Sequence, residues 1–143
     1  MSGVERQIEI SAPIEKVFDV VADVESYPQF LDSLGMVGIE VLESGDGFKT
    51  VKHTVRKMGT NVSYTLRYEL DKPNRIEWSF VEGQMMKDNR GFWKLEKIDD
   101  NRTRATYSVD VKFGMLVPKS LVNAMVSKEL PQMLDAFKKR AES

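Results

Sequence analysis

The stretch Pro118–Ala141, PKSLVNAMVSKELPQMLDAFKKRA, decides the fold. Leu121, Val122, Met125, Val126, Leu130, Met133, Leu134 and Phe137 recur at steps of three and four, which puts them on one broad apolar stripe of a helix. Each such side chain contributes roughly 1.5 to 3 kcal/mol when fully buried, so the stripe carries on the order of 10 to 20 kcal/mol of gross burial energy and demands a surface to cover. Pro118 suits the first helical turn, and Lys138, Lys139 and Arg140 suit the negative end of the helix dipole. Pro131 removes the hydrogen bond to the Ser127 carbonyl and crowds that turn, which predicts a kink. A bent helix can wrap a curved sheet.

The sheet is written upstream, where the period is two from Met36 to Phe113. In Thr60–Leu70 the alternation is clean: Val62, Tyr64, Leu66, Tyr68 and Leu70 face one side, and Asn61, Ser63, Thr65, Arg67 and Glu69 the other. Met36–Leu42 and Phe48–Met58 flank a turn at Ser44–Gly47, and Gly59 turns the chain again. Asp71–Asn74 precedes a strand with Ile76, Trp78 and Phe80 on its covered face. A further strand runs from about Met85 to Ile98 with Gly91 as an expected bulge. Thr103–Phe113 turns Ala105, Tyr107, Val109, Val111 and Phe113 inward.

Before the meander, Val4–Ile10 alternates as a strand with Arg6 on its apolar side. Ser11 is the expected N-cap of a short helix carrying Ile14, Val17, Phe18 and Val21, with Pro13 just inside it. Asp23–Leu34 predicts a second short helix packed on the first. The expectation is an α+β fold in one domain, residues 1–143: a seven-stranded curved antiparallel sheet around a long C-terminal helix, with two short helices after the first strand. A curved sheet gripping one helix leaves an apolar void, and Met86, Met115, Met125 and Met133 would make its lining adaptable.

Composition narrows the function classes. The 143 residues are 41% hydrophobic and 30% charged, with 21 basic and 22 acidic side chains giving a net charge of -1, which argues against a nucleic-acid partner. No cysteine is present, so disulfides and thiolate chemistry are excluded. The chain has no apolar run of about 18 residues and no signal-peptide core, which predicts a soluble cytoplasmic protein.

Three strings carry a family resemblance: ISAPIEKVFDVVADVESYPQFL (Ile10–Leu31), Glu82-Gly83 followed by Met86-Lys87 and GFWKLE (Gly91–Glu96), and the C-terminal stretch itself. With the order of elements, they resemble the START-like, or SRPBCC, helix-grip superfamily in its polyketide cyclase and coenzyme Q-binding branch. The resemblance implies a cavity for a hydrophobic ligand. That family includes lipid and quinone carriers, aromatic polyketide cyclases and a ribosome-associated toxin. Relatives tend to have an apolar residue two places after the lysine, where this chain has Asn89.

The expected ligand-binding residues are His53, Val55, Tyr64, Leu66, Trp78, Phe80, Trp93, Tyr107 and Val109 on the sheet, with Val122, Met125, Val126 and Met133 on the helix. His53 is the only histidine; its ordinary role is a buried, hydrogen-bonded side chain, and its functional one a general acid or base. The tyrosines pack or present hydroxyls to a ligand, and the tryptophans read first as core. Asn89 and Arg90 read as a solvated turn, and Arg6 as an arginine reaching the sheet edge. One histidine without cysteine makes a metal site unexpected, and neither a cofactor nor catalytic residues are expected. The leading expectation is a carrier or chaperone for a lipid, quinone or polyketide-like aromatic, with transient membrane contact left open. A cyclase, aromatase or dehydratase using cavity His or Tyr is the first rival, and a ribosome- or protein-binding module the second. Gly45–Gly47 and the segment before Pro118 are the expected entrance.

Overall fold

The computed structural model describes residues 3–57 and 59–143; Met58, the expected end of a strand, lies outside the described residues. Strand β1 (Gly3–Ile10) leads to helices α1 (Ile14–Ala22) and α2 (Tyr27–Leu31). Strands β2 (Met36–Gly45), β3 (Phe48–Lys57), β4 (Thr60–Asp71), β5 (Arg75–Gly83), β6 (Met86–Asp99) and β7 (Arg102–Phe113) follow. The C-terminal helix runs as α3 (Lys119–Ala124), a π-helical segment Met125–Glu129, and α4 (Leu130–Glu142). The seven strands form one antiparallel sheet in the order β1-β7-β6-β5-β4-β3-β2, so the first strand joins the meander at the β7 edge. Tight turns at Gly47 and Gly59, both with positive φ, hold the hairpins in register.

The helical corner forms where Val17, Phe18 and Val21 of α1 pack into the core with Tyr27 and Leu31 of α2. Ser11 is not the cap: extended Pro13 occupies that position without a side-chain cap, and the Ser11 amide donates instead to the Glu142 carboxylate at 2.7 Å. At the other end of α1, the Lys49 ammonium donates to the Ala22 carbonyl at 3.0 Å and to Glu25 at 2.9 Å, satisfying a terminal acceptor where the helix dipole is negative. Buried Tyr27 donates its hydroxyl to the Val21 carbonyl and so ties α2 to α1. Tyr27→Phe is expected to cost about 1 to 2 kcal/mol, because the carbonyl is left unpaired in a dry site. Urea unfolding of the two proteins measures it, and equal midpoints would show that the corner is held by packing alone.

The C-terminal helix is packed unevenly. Leu130, Leu134, Phe137 and Ala141 of α4 are buried, whereas no residue of α3 or of the π segment is. Val122, Met125, Val126 and Met133, the helix residues expected to border a void, are only partly buried, while Leu130, Leu134 and Phe137 of the same stripe pack fully. Pro131 disturbs the helix as expected, in the form of a π-helical segment ending just before it, where the missing amide and crowded turn are absorbed by wider winding. The sheet therefore closes on a solid core at the α4 end and stays hollow under α3.

Arg6 is exposed on the β1 edge, where the sequence places it, and is bonded to the carbonyl of Glu5. One further expectation is corrected. Gly91 is not a bulge, since it pairs in register with both Trp78 and Val109. The strand shifts fall elsewhere, between Met86 and Asp88 and between Lys97 and Asp99 on β6, and between Thr65 and Leu66 where β4 meets β5.

Candidate functional site

A cavity of about 340 Å³ lies between the sheet and the first half of the C-terminal helix, within the range of sites that hold small molecules. The alternation of β3 to β7 supplies one wall: His53 and Val55, Tyr64 and Leu66, Trp78, Trp93, and Tyr107 with Val109. The helix supplies the other through Val122, Met125, Val126 and Met133. Phe80 is the exception. It stands across from Leu66 just before the irregularity at Val81, and its ring packs along its own strand, 3.1 Å from the place of a side-chain carbon on Gly83. Phe80 is instead partly buried against the core beside this irregularity.

Polar groups are few, and His53 with three tyrosines gathers most of them on the sheet side. The ring of His53 stacks on Tyr64 with centroids 4.7 Å apart and planes 8° from parallel, and its Nε2 lies 2.9 Å from the Tyr68 hydroxyl. Its Nδ1 is buried with no partner. Desolvation in this wall pushes the imidazole down to about 4, so it is neutral at pH 7. Burial pushes the Tyr64 phenol up to about 12 and raises those of Tyr68 and Tyr107 as well, so all three stay protonated donors. The hydroxyls of Tyr64 and Tyr107 have no hydrogen-bond partner among the described residues, so both are free to bond a guest in the cavity.

Asn89 is not part of a solvated turn. It is 7% exposed, sits within β6, and accepts the Trp78 indole N–H at 3.0 Å; Arg90 beside it is exposed and pairs with Asp88. Asn89 is therefore used to anchor the tryptophan that walls the cavity. Pairing of β5 with β6 covers only Arg75–Trp78 against Gly91–Lys94, so this side-chain bond stands where the backbone ladder stops.

Sequence reasoning missed two parts of the lining. Tyr27, Leu31 and Phe137 close the floor, with Tyr27 and Phe137 in edge contact at 5.2 Å; they read as ordinary core of two separate helices. Elsewhere in the lining the Lys57 ammonium bridges Glu129 of the π segment and the Leu34 carbonyl, and Lys57 meets Glu129 across 72 positions, which no local pattern announces. Of the two segments expected at the entrance, Phe113 and Val117 before Pro118 line the cavity, whereas Gly45–Gly47 does not; the Gly47 carbonyl accepts from the Leu70 amide at the β2–β3 turn. Among the described residues no cluster of histidine and carboxylates is placed to hold a metal ion, and no helix is long and apolar enough to cross a membrane.

The family model described as "Polyketide cyclase / dehydrase and lipid transport" matches residues 10–138. The ribosome association toxin RatA of Escherichia coli K12 is 32% identical over 143 residues, covering 99% of this chain and 88% of the relative. Among solved structures, the Zhui aromatase/cyclase of a Streptomyces species superposes with a TM-score of 0.86 at 23% identity, over 98% of this chain and 93% of that one. A START superfamily protein of Mycobacterium smegmatis superposes at 0.84 and 20% identity, over 98% and 97%. The last two likenesses speak to the fold.

Proposed function

The chain belongs to the polyketide cyclase/dehydrase and lipid transport family, and on that footing we propose that it binds an uncharged hydrophobic small molecule between the sheet and the helix Lys119–Glu142, as a carrier or chaperone. The observation that carries this reading is the 340 Å³ cavity with apolar walls and two unpaired tyrosine hydroxyls. Apolar walls supply affinity, while the Tyr64 and Tyr107 hydroxyls set the orientation of a guest carrying a carbonyl or hydroxyl. A lipid, a quinone and a polyketide-like aromatic all meet that description. The ion pair Lys57–Glu129 in the lining is already satisfied, which disfavours a charged guest there.

Native mass spectrometry of freshly purified protein, followed by solvent extraction, identifies the cargo. Val126→Trp supplies the control, since the indole would enter empty volume rather than packed core. Uptake of an apolar fluorescent probe is expected to fall about tenfold or more, with the unfolding midpoint little changed. Undiminished uptake by that variant would place the binding site elsewhere.

A second reading is favoured by the 32% identity with a ribosome association toxin over nearly the whole chain: that the outer surface engages the ribosome. Co-sedimentation with ribosomal subunits tests it. Val126→Trp should leave that association intact, because the substituted side chain faces the cavity.

A further inference from the structure

Two turns beside the cavity break the ordinary chemistry of turns in the same direction. Gly114–Val117 is a tight turn closed by the Val117 amide on the Gly114 carbonyl at 3.2 Å, and its two central residues are Met115 and Leu116. They are 93% and 90% exposed, where glycine, asparagine, aspartate or serine would ordinarily stand. The neighbouring turn between β5 and β6 places Met85 at φ 61°, a left-handed conformation rare for a side chain of that size, and leaves it 47% exposed. The Gly114 amide donates to the Met85 carbonyl at 3.1 Å, so the two tips stand side by side. Both run directly into the cavity wall through Met85, Met86, Phe113 and Val117.

The charge around them has one sign along the second turn. From Val111 to Lys128 the chain carries Lys112, Lys119 and Lys128 and no acidic residue, and Lys87 follows Met86 on the adjacent strand. Carboxylates bound the run on both sides: Asp110 precedes it on β7 and Glu129, paired with Lys57, follows it, while Asp88 is held by Arg90 at 3.0 Å and Glu82 lies on β5 before the first turn. Apolar tips bracketed by lysines fit the boundary of an anionic bilayer, where the tips enter the acyl region and the ammonium groups stay among the headgroups. We infer that the paired turns at Met85 and at Met115-Leu116 form a docking surface for anionic lipid membranes. This rests on the reading of the cavity as a container, for which it supplies the place of loading: the guest would pass from bilayer to cavity along Met86, Phe113 and Val117 without crossing water.

The test is flotation of the purified chain with phosphatidylcholine vesicles, with and without a third of phosphatidylserine. Wild type is expected to float with the anionic vesicles and to be released by added salt. Met115→Ser with Leu116→Ser is expected to weaken binding about tenfold or more, and Lys112→Gln with Lys119→Gln to remove most of the salt dependence. Because the two apolar side chains stand in solvent, the unfolding midpoint should be unchanged. Wild type that stays off anionic vesicles, or floats equally well with both tip residues replaced, overturns the inference. So does a loss of ribosome co-sedimentation in the tip variant without any vesicle binding by wild type, which would give the surface to a ribosomal partner. Uptake of an apolar probe in vesicle-free buffer is read separately: it should be normal in the tip variant, and its absence in wild type would sink the container reading while leaving the vesicle result standing.

Discussion

Gly91→Ala is expected to destabilise the protein by about 3 kcal/mol or more, the largest effect of any single methyl group added to the sheet. An added Cβ at Gly91 would lie 2.2 Å from the Ser108 carbonyl oxygen and 2.6 Å from Cζ2 of Trp78. Neither neighbour can yield easily. The carbonyl belongs to the β7 backbone, which is paired with β1 on its other side. The indole is fixed on this same edge by the bond from its N–H to the Asn89 side chain at 3.0 Å. If the ring moves, a buried N–H loses its acceptor, which adds about 1 to 3 kcal/mol to the overpacking. Two other glycines separate the causes. At Gly59 nothing lies within 4 Å, so alanine meets only the strain of φ 78°, about 1 to 2 kcal/mol. At Gly38 the nearest atom is Thr54 Cβ at 3.4 Å and the φ is ordinary, so the change should be small. Urea denaturation with a common m value ranks the three. A Gly91→Ala protein within about 1 kcal/mol of wild type would mean that the β6–β7 ladder shifts far more readily than its pairing implies.

The same position shows where sequence reading reaches its limit. A glycine inside an alternating strand signals either a bulge or a close approach, and the sequence around Gly91 does not distinguish them. Which one holds depends on Trp78, thirteen positions earlier and on the neighbouring strand. The inward face of β4, by contrast, was legible because Val62, Tyr64, Leu66, Tyr68 and Leu70 repeat without interruption, and a slip of one residue would turn all five to solvent. Eight of the nine strand residues expected around the cavity line it from such faces, and Phe80 does not, beside the interruption at Val81. Asn89 was misread for a different reason: asparagine in sequence argues for a turn, and only the approach of an indole N–H shows that its polarity is spent inside. The void under Val122, Met125, Val126 and Met133 is legible in outline, but how far along the C-terminal stripe burial extends is not. Periodicity reports which face is apolar, not whether the partner surface reaches it.

Lowering the pH from 7.5 to 4 is expected to remove about 3 kcal/mol of stability through His53 alone. The imidazole is 1% exposed, stacked on Tyr64, and carries an unpartnered Nδ1 in an apolar wall. Desolvation of a charged ring in this wall, only partly offset by the nearby Tyr64 and Val51 backbone, explains the fall from an ordinary 6.5 to about 4. Above pH 6.5 both folded and unfolded chains hold the ring neutral and the group contributes no pH dependence. Between 6.5 and 4 the unfolded chain takes up a proton that the folded chain refuses, so unfolding is favoured as the pH falls. Below 4 both are protonated and the loss stops growing. Other carboxylates and lysines titrate alike in a His53→Gln protein, so the difference between wild type and variant isolates the ring. That difference should shrink by about 3 kcal/mol from pH 7.5 to 4 in urea titrations, and parallel profiles would show that the folded ring is protonated at its ordinary pH. The result bears on the cavity as well. A ring that resists protonation to about pH 4 is a weak base at neutrality, which counts against proton abstraction by His53 and fits a wall built to hold an uncharged guest.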